Sequence, residues 1–207
     1  KLVVAERLMT HGKQVAESDM TIDLNGKTLG ARSNYNFHVS GGNVTIIDSG
    51  GGGQTTKQVG ANGGTLTIRG GTHESVMANN SQHPTTLIIT GGEFGLVSIT
   101  LGGIARLSGG TYEEVRVYDE VGKLDVLLAD GYWYYDEEGH FVDAAAVEAE
   151  SSWYYIYNVT VAPECTHEDE KTYTNNGDGT VTLNLDTFVV VYDSANEQKY
   201  IPSVAKA

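Results

Sequence analysis

Between Thr65 and Tyr132 the chain sets apolar and polar residues in the same order four times. Leu66-Thr67-Ile68-Arg69-Gly70-Gly71-Thr72-His73 is followed by Leu87-Ile88-Ile89-Thr90-Gly91-Gly92-Glu93-Phe94, by Ala105-Arg106-Leu107-Ser108-Gly109-Gly110-Thr111-Tyr112 and by Val126-Leu127-Leu128-Ala129-Asp130-Gly131-Tyr132-Trp133. Two apolar side chains separated by one residue face the same side of a strand. The glycine pair then gives the backbone access to positive φ where it turns sharply without a Cβ in the way. A second short apolar run closes each unit: Val76, then Leu96-Val97-Ser98-Ile99, then Val115-Arg116-Val117. Each unit is strand, tight bend, strand and return segment, and it recurs about every twenty residues.

A unit this short cannot bury its own apolar face, so the units must stack. Stacking puts Leu66, Leu87, Ala105 and Val126 in one internal column and Ile68, Ile89, Leu107 and Leu128 in the next. An antiparallel β-sandwich with a turn every eight to twelve residues is the rival arrangement. It has no need of a glycine pair at the same place in every unit, and the pattern therefore predicts an all-β parallel β-helix.

Taken in order, residues 1–17 carry helical spacing through Val4, Leu8 and Met9 and are expected to form an N-terminal cap, either a short helix or an incomplete coil. Coil one pairs Ile22 with Leu24 before the bend at Asn25-Gly26; coil two pairs Val44 with Ile46 before Asp48-Ser49-Gly50. The run from Gly50 to Gly53, continued by Gln54-Thr55-Thr56-Lys57, reads as a loop. It is not a phosphate cradle, which needs Gly-Lys-Ser/Thr opening a helix.

The phrase Ile22-Asp23-Leu24-Asn25-Gly26-Lys27-Thr28-Leu29, followed by the Leu-Thr-Ile and Gly-Gly-Thr units, resembles the pectate-lyase-like β-helix repeats of large secreted and cell-wall proteins of gut Firmicutes. The resemblance covers residues 18–162 and implies a right-handed parallel β-helix there. It is specific for architecture and says little of activity.

Toward the end, Tyr132 to Tyr135 and His140 to Val142 form a strand pair around an Asp-Glu-Glu-Gly turn. The stretch Asp143 to Glu150, rich in alanine, predicts a turn or two of helix. Trp153 to Val161 is strongly strand-like, and Pro163 ends it. Residues 163–207 break the period. Leu183, Leu185, Phe188, Val190 and Tyr192 predict two or three antiparallel strands, a small C-terminal β appendage that caps the solenoid or leads to a further module. Cys165-Thr166-His167 ahead of Gly177-Asp178-Gly179-Thr180 resembles a degenerate Cys-x-His repeat whose downstream partners are missing.

The chain has 207 residues, 26 glycines, 12 tyrosines and a formal charge of −14. That acidity argues against nucleic acid or an anionic membrane as partner, since both need cationic patches. One cysteine permits no internal disulfide, so packing and the backbone ladder hold the fold. No apolar run is long enough for a membrane span. Starting at Lys1, without a signal peptide, the chain is expected to be part of a larger multidomain protein, extracellular or anchored in a bacterial cell wall.

Candidate chemistry is sparse. Enzymes of the β-helix class align acids with a basic residue on an outward strand face. The residues between the inward pairs here are Asp23, Thr45, Thr67, Ile88, Arg106 and Leu127, which contain no paired carboxylates. The six histidines fall in different units, and Asn175 to Thr180 lacks the spaced carboxylates of a calcium loop. No catalytic, metal or cofactor site is expected. What remains is aromatic: Tyr132, Trp133, Tyr135, Trp153 and Tyr155 crowd one short stretch, and such rings stack on sugar faces or anchor protein interfaces. Packing of the end cap is the competing role for them. The sequence thus points to a non-catalytic spacer and recognition module, its partner a glycan or a host or bacterial surface protein. The alternative is a polysaccharide lyase or glycoside hydrolase of the pectate-lyase-like class.

Overall fold

The computed structural model describes residues 1–5, 8–10, 14–32, 35–80, 83–163 and, beyond them, the strand segments 173–175, 181–183, 188–192 and 198–202. The chain forms two compact units, Lys1–Glu164 and Cys165–Ala207. The first is a parallel β-solenoid of about five turns.

One sheet holds the short strands β1 (Leu2–Val3), β4 (Met20–Asp23), β7 (Asn43–Ile47), β9 (Gly64–Ile68), β11 (Thr85–Ile89) and β13 (Ile104–Leu107), stacked in that order and all parallel. The other holds the long strands β8 (Gln54–Ala61), β10 (Thr72–Asn79), β12 (Glu93–Thr100) and β14 (Thr111–Tyr118). In the first coils that path is split, into β2 (Leu8–Thr10) and β3 (Gln14–Ala16), then β5 (Thr28–Ala31) and β6 (Tyr35–Val39). Leu2–Val3, Leu8–Thr10 and Gln14–Ala16 thus pair in parallel with strands of the next coil, as an incomplete coil does, and not as the short helix that was its alternative.

The register stacks like on like. Val44, Leu66, Leu87 and Ala105 form one buried column, and Ile22, Ile46, Ile68, Ile89 and Leu107 the next. On the long strands Val59, Val76, Val97 and Val115 form a third. The second glycine of each pair earns its place: Gly92 has φ of +119°, and a Cβ there would come within 2.8 Å of the Gly71 carbonyl oxygen one coil below.

In a strict alternation His73 and Val76 would face opposite ways. Both are buried, as are Phe94 with Val97 and Tyr112 with Val115, so each long strand bends between them. The aromatic position after the glycines therefore points inward. His73 stacks on Phe94 (centroids 5.3 Å apart) and Phe94 on Tyr112 (5.1 Å). The polar tips are satisfied at home: Tyr112 Oη donates to the Gly109 carbonyl at 2.6 Å, and His73 Nε2 donates to the Gly70 carbonyl at 3.1 Å. With the proton on Nε2, Nδ1 accepts from the Thr55 hydroxyl at 3.0 Å. Burial pulls the His73 pKa below its ordinary value, against the Gly70 carbonyl and the charge of Asp48, which favour the cation.

Several expectations are revised. Val126 leaves its column: it sits on the outside of a 3-10 helix, Leu124–Leu127, whose buried residues are Leu124 and Leu127, although Leu128 still bridges in parallel to Leu107. Coil one is set two residues earlier than its apolar pair suggests, so Met20 and Ile22 align with Val44 and Ile46. Gln54 to Lys57 belong to β8, not to a loop, because Gln54 and Thr55 pair with Thr72 and His73. The alanine-rich stretch makes a turn in place of a helix, with Asp143 accepting the Ala145 N–H on its side chain and the Ala146 N–H on its carbonyl. An Asx turn outcompetes a helix too short to repay nucleation.

After the 3-10 helix the direction reverses. β15 (Tyr132–Tyr135) and β16 (Phe141–Val142) form the expected hairpin, and β17 (Trp153–Pro163) lies antiparallel to both β15 and β14. The second unit is a four-stranded antiparallel sheet, β18 (Tyr173–Asn175), β19 (Val181–Leu183), β20 (Phe188–Tyr192) and β21 (Gln198–Pro202). Cys165, His167 and residues 177–180 lie outside the described residues.

Leu87→Ala in the buried column should cost about 2–5 kcal/mol in chemical denaturation, against about 1 kcal/mol or less for the outward Thr67→Ala. A second expectation concerns acid. Because the folded pKa of His73 lies below the unfolded 6.5, its neutral ring contributes stability above pH 6.5 that is lost as pH falls through the folded value. His73→Phe, continuing the ring stack, should flatten the fall in melting temperature below pH 6.5 relative to wild type.

Candidate functional site

The cap strand β17 carries the aromatic surface. Its Ile156, Val159 and Val161 are buried on the core, while Trp153, Tyr155 and Tyr157 alternate onto the outer side. Asn158, at φ +52°, makes the same two-residue corner as the long strands and lets Val159 turn back inward over Tyr112; Asn is among the few residues that tolerate that φ.

Tyr155 and Tyr157 lie parallel at 6.1 Å, and Trp153 is tilted on Tyr155 at 6.4 Å. Tyr118 meets Trp153 edge-on at 5.2 Å. Arg116 is fixed beneath this row: its guanidinium lies 5.0 Å from the Trp153 ring centroid, its Nε donates to Ser98 Oγ at 3.1 Å, and Glu114 stands 3.7 Å away. Tyr157, directly opposite Glu114 and 57% exposed, is the most open ring. Partial loss of hydration, then the Glu114 carboxylate, raise its phenol pKa.

The five residues singled out in the sequence do not form one patch. Trp153 and Tyr155 share the strip, whereas Tyr132, Trp133 and Tyr135 lie on β15, paired with the other end of β17. Trp133 is opposite Ala162, nine residues from Trp153, up to about 30 Å along an extended strand. There it packs edge-on against Phe141 at 5.1 Å. Tyr132 packs partly against the core, and Tyr135 sits beside Thr160, its hydroxyl donating to the Pro163 carbonyl at 3.4 Å. The sequence passed over Tyr118 and Arg116, since only the antiparallel docking of β17 on β14 brings them to Trp153. The alternation of Trp153, Tyr155 and Tyr157 was a legible signal for the third ring.

The outward face of the short sheet differs from expectation. Its column reads Thr21, Thr45, Thr67, Ile88 and Arg106. Leu127 is buried, and so is Asp23, which holds the bend together. Its carboxylate pairs with the Lys1 ammonium at 2.9 Å and accepts the backbone N–H groups of Asn25 and Ser49 and the Ser49 hydroxyl. Lys1 first, then Ser49, hold it well below the usual carboxylate range.

At the β15–β16 turn, Asp136, Glu138 and His140 bring donor atoms within 4.8 Å of one another, which the scattered histidines did not suggest. The Asp136 carboxylate accepts the His140 N–H at 2.7 Å and faces its Nδ1 at 3.2 Å, and the backbone N–H is the larger cause of its lowered pKa. The contacts account for a hairpin closed by its own side chains. No helix among the described residues is long and apolar enough to cross a membrane. No protein-family model matches the chain, and no curated protein or solved structure matches it.

A double-mutant cycle on Arg116→Ala and Trp153→Ala, followed by denaturation, should give a coupling of about 0.5–1 kcal/mol. A coupling near zero means the stacking is incidental.

Proposed function

We propose that this solenoid is a non-catalytic module of a bacterial secreted or wall-anchored protein, a spacer that carries a recognition surface for a glycan or a protein. The observation behind this reading is the outward strip Trp153, Tyr155 and Tyr157, three aromatic side chains in a row on a strand paired along its length. Rings presented on a sheet lose little freedom on binding, and aromatic side chains of this kind combine an apolar body with a polar tip. Arg116 and Glu114 supply hydrogen-bonding groups beside them. Kinship with the pectate-lyase-like repeats of gut Firmicutes surface proteins rests on the repeat phrases alone, and the extracellular setting comes with it.

A glycan array, with bacterial and host surface proteins printed alongside, tests the reading. Trp153→Ala with Tyr157→Ala should lower binding at least tenfold while the fold is kept, with only the small fall in melting temperature that loss of the Arg116–Trp153 contact brings, while Trp133→Ala, at the far end of β17, should leave it intact. Equal binding by all variants removes the strip from the account, and turnover of any polysaccharide overturns the non-catalytic half of it.

A further inference from the structure

A separate groove of about 640 Å³ crosses the glycine bends, lined by Asp48, Thr72, Glu93, Thr111 and Thr160. Its side chains are in register: Thr72 pairs with Glu93, Glu93 with Thr111, Thr111 with Thr160, and Thr160 with Tyr135. Directly paired residues point to the same face, so polar groups recur once per rung, about 4.8 Å apart, and the row ends on an aromatic ring. The row is held in place from within. Thr72 donates to Glu93 Oε2 at 3.1 Å, Thr111 and Thr160 share a hydrogen bond of 3.3 Å, and Asp48 accepts the N–H groups of Gly26 and Gly53, both at 2.7 Å. Each hydroxyl oxygen and carboxylate has more acceptor sites than these bonds use.

We infer that this groove binds an extended, uncharged polysaccharide lying along the solenoid axis, about one sugar to a rung. Sugar hydroxyls are the donors that a row of acceptors requires, and an extended chain repeats them at a spacing close to that of the rungs. Both charged side chains among the described lining residues are carboxylates, Asp48 and Glu93, which repel polyuronates and other anionic polymers. The inference rests on the recognition reading above but uses none of the residues of the ring strip, so the two are separable.

Affinity electrophoresis through gels containing hydroxyethylcellulose, a galactomannan or a mixed-linkage β-glucan, with polygalacturonate as the anionic comparison, tests it. A Cβ at Gly70 meets nothing within 4 Å, and its φ is outside the left-handed region, so Gly70→Leu adds bulk to the groove without strain. Wild type should be retarded by at least one uncharged polymer and not by polygalacturonate. Gly70→Leu should weaken that retardation at least tenfold at an unchanged melting temperature, and the Trp153→Ala/Tyr157→Ala variant should keep it. Should Gly70→Leu melt lower, Thr111→Val, which removes one hydroxyl, decides by a loss of at least threefold. The inference is overturned if no uncharged polymer retards the chain, if polygalacturonate is preferred, or if both groove variants bind as wild type does. Loss in the ring variant alone transfers the binding to the strip.

Discussion

Backbone hydrogen bonding between parallel coils spaces equivalent residues about 4.8 Å apart, and everything else in the solenoid follows from that. At such a distance a side chain's main neighbour is its own counterpart in the next coil, so a column is stable only where like packs on like. Ile22, Ile46, Ile68, Ile89 and Leu107 satisfy this with one shape repeated, as do the four valines of the long strands. The ring column obeys the same rule at greater cost, because His73 and Tyr112 carry polar atoms into the core. It is tolerated because the carbonyl three residues earlier, at Gly70 and Gly109, is within reach of each ring's polar tip.

Bends are solved in two ways. The later coils use a glycine pair, with the second glycine at positive φ under the carbonyl of the neighbouring coil. The earlier ones use carboxylates: Asp23 and Asp48 accept backbone N–H groups from their own bend and from the adjacent one. These side-chain acceptors staple consecutive bends whose backbone still turns through positive φ, at Asn25 and Gly26 and at Gly51 and Gly52.

Stacking cannot continue indefinitely, and the C-terminal end shows how it stops. The 3-10 helix keeps Leu124 and Leu127 on the core while dropping out of the ladder, and β17 then closes the long sheet in the opposite direction. Reversal has a consequence for the surface. A parallel strand at this position would continue the columns beneath it, whereas the antiparallel one sets Tyr155 over Arg116 and Tyr157 over Glu114, building a mixed aromatic and charged strip that no repeat unit encodes.

The division between sequence and tertiary structure follows from range. Periodicity, paired apolar positions and the recurring glycines are local, and they sufficed for the parallel architecture, for Leu66, Leu87 and Ala105 standing in one column, and for the hairpin at Tyr132 to Tyr135. Asp23 and Gln54 to Lys57 depart from expectation because their placement depends on register against another coil, which apolar spacing leaves free by two residues when Met20, Ile22 and Leu24 all fit; Val126 departs because the chain winds into a 3-10 helix there, although Leu128 keeps its register against Leu107. The aromatic crowding was plain in the chain as well. Which of those rings share a face was decided only when β17 ran antiparallel along β14, since a strand of eleven residues separates its two ends too far for Trp133 and Trp153 to meet.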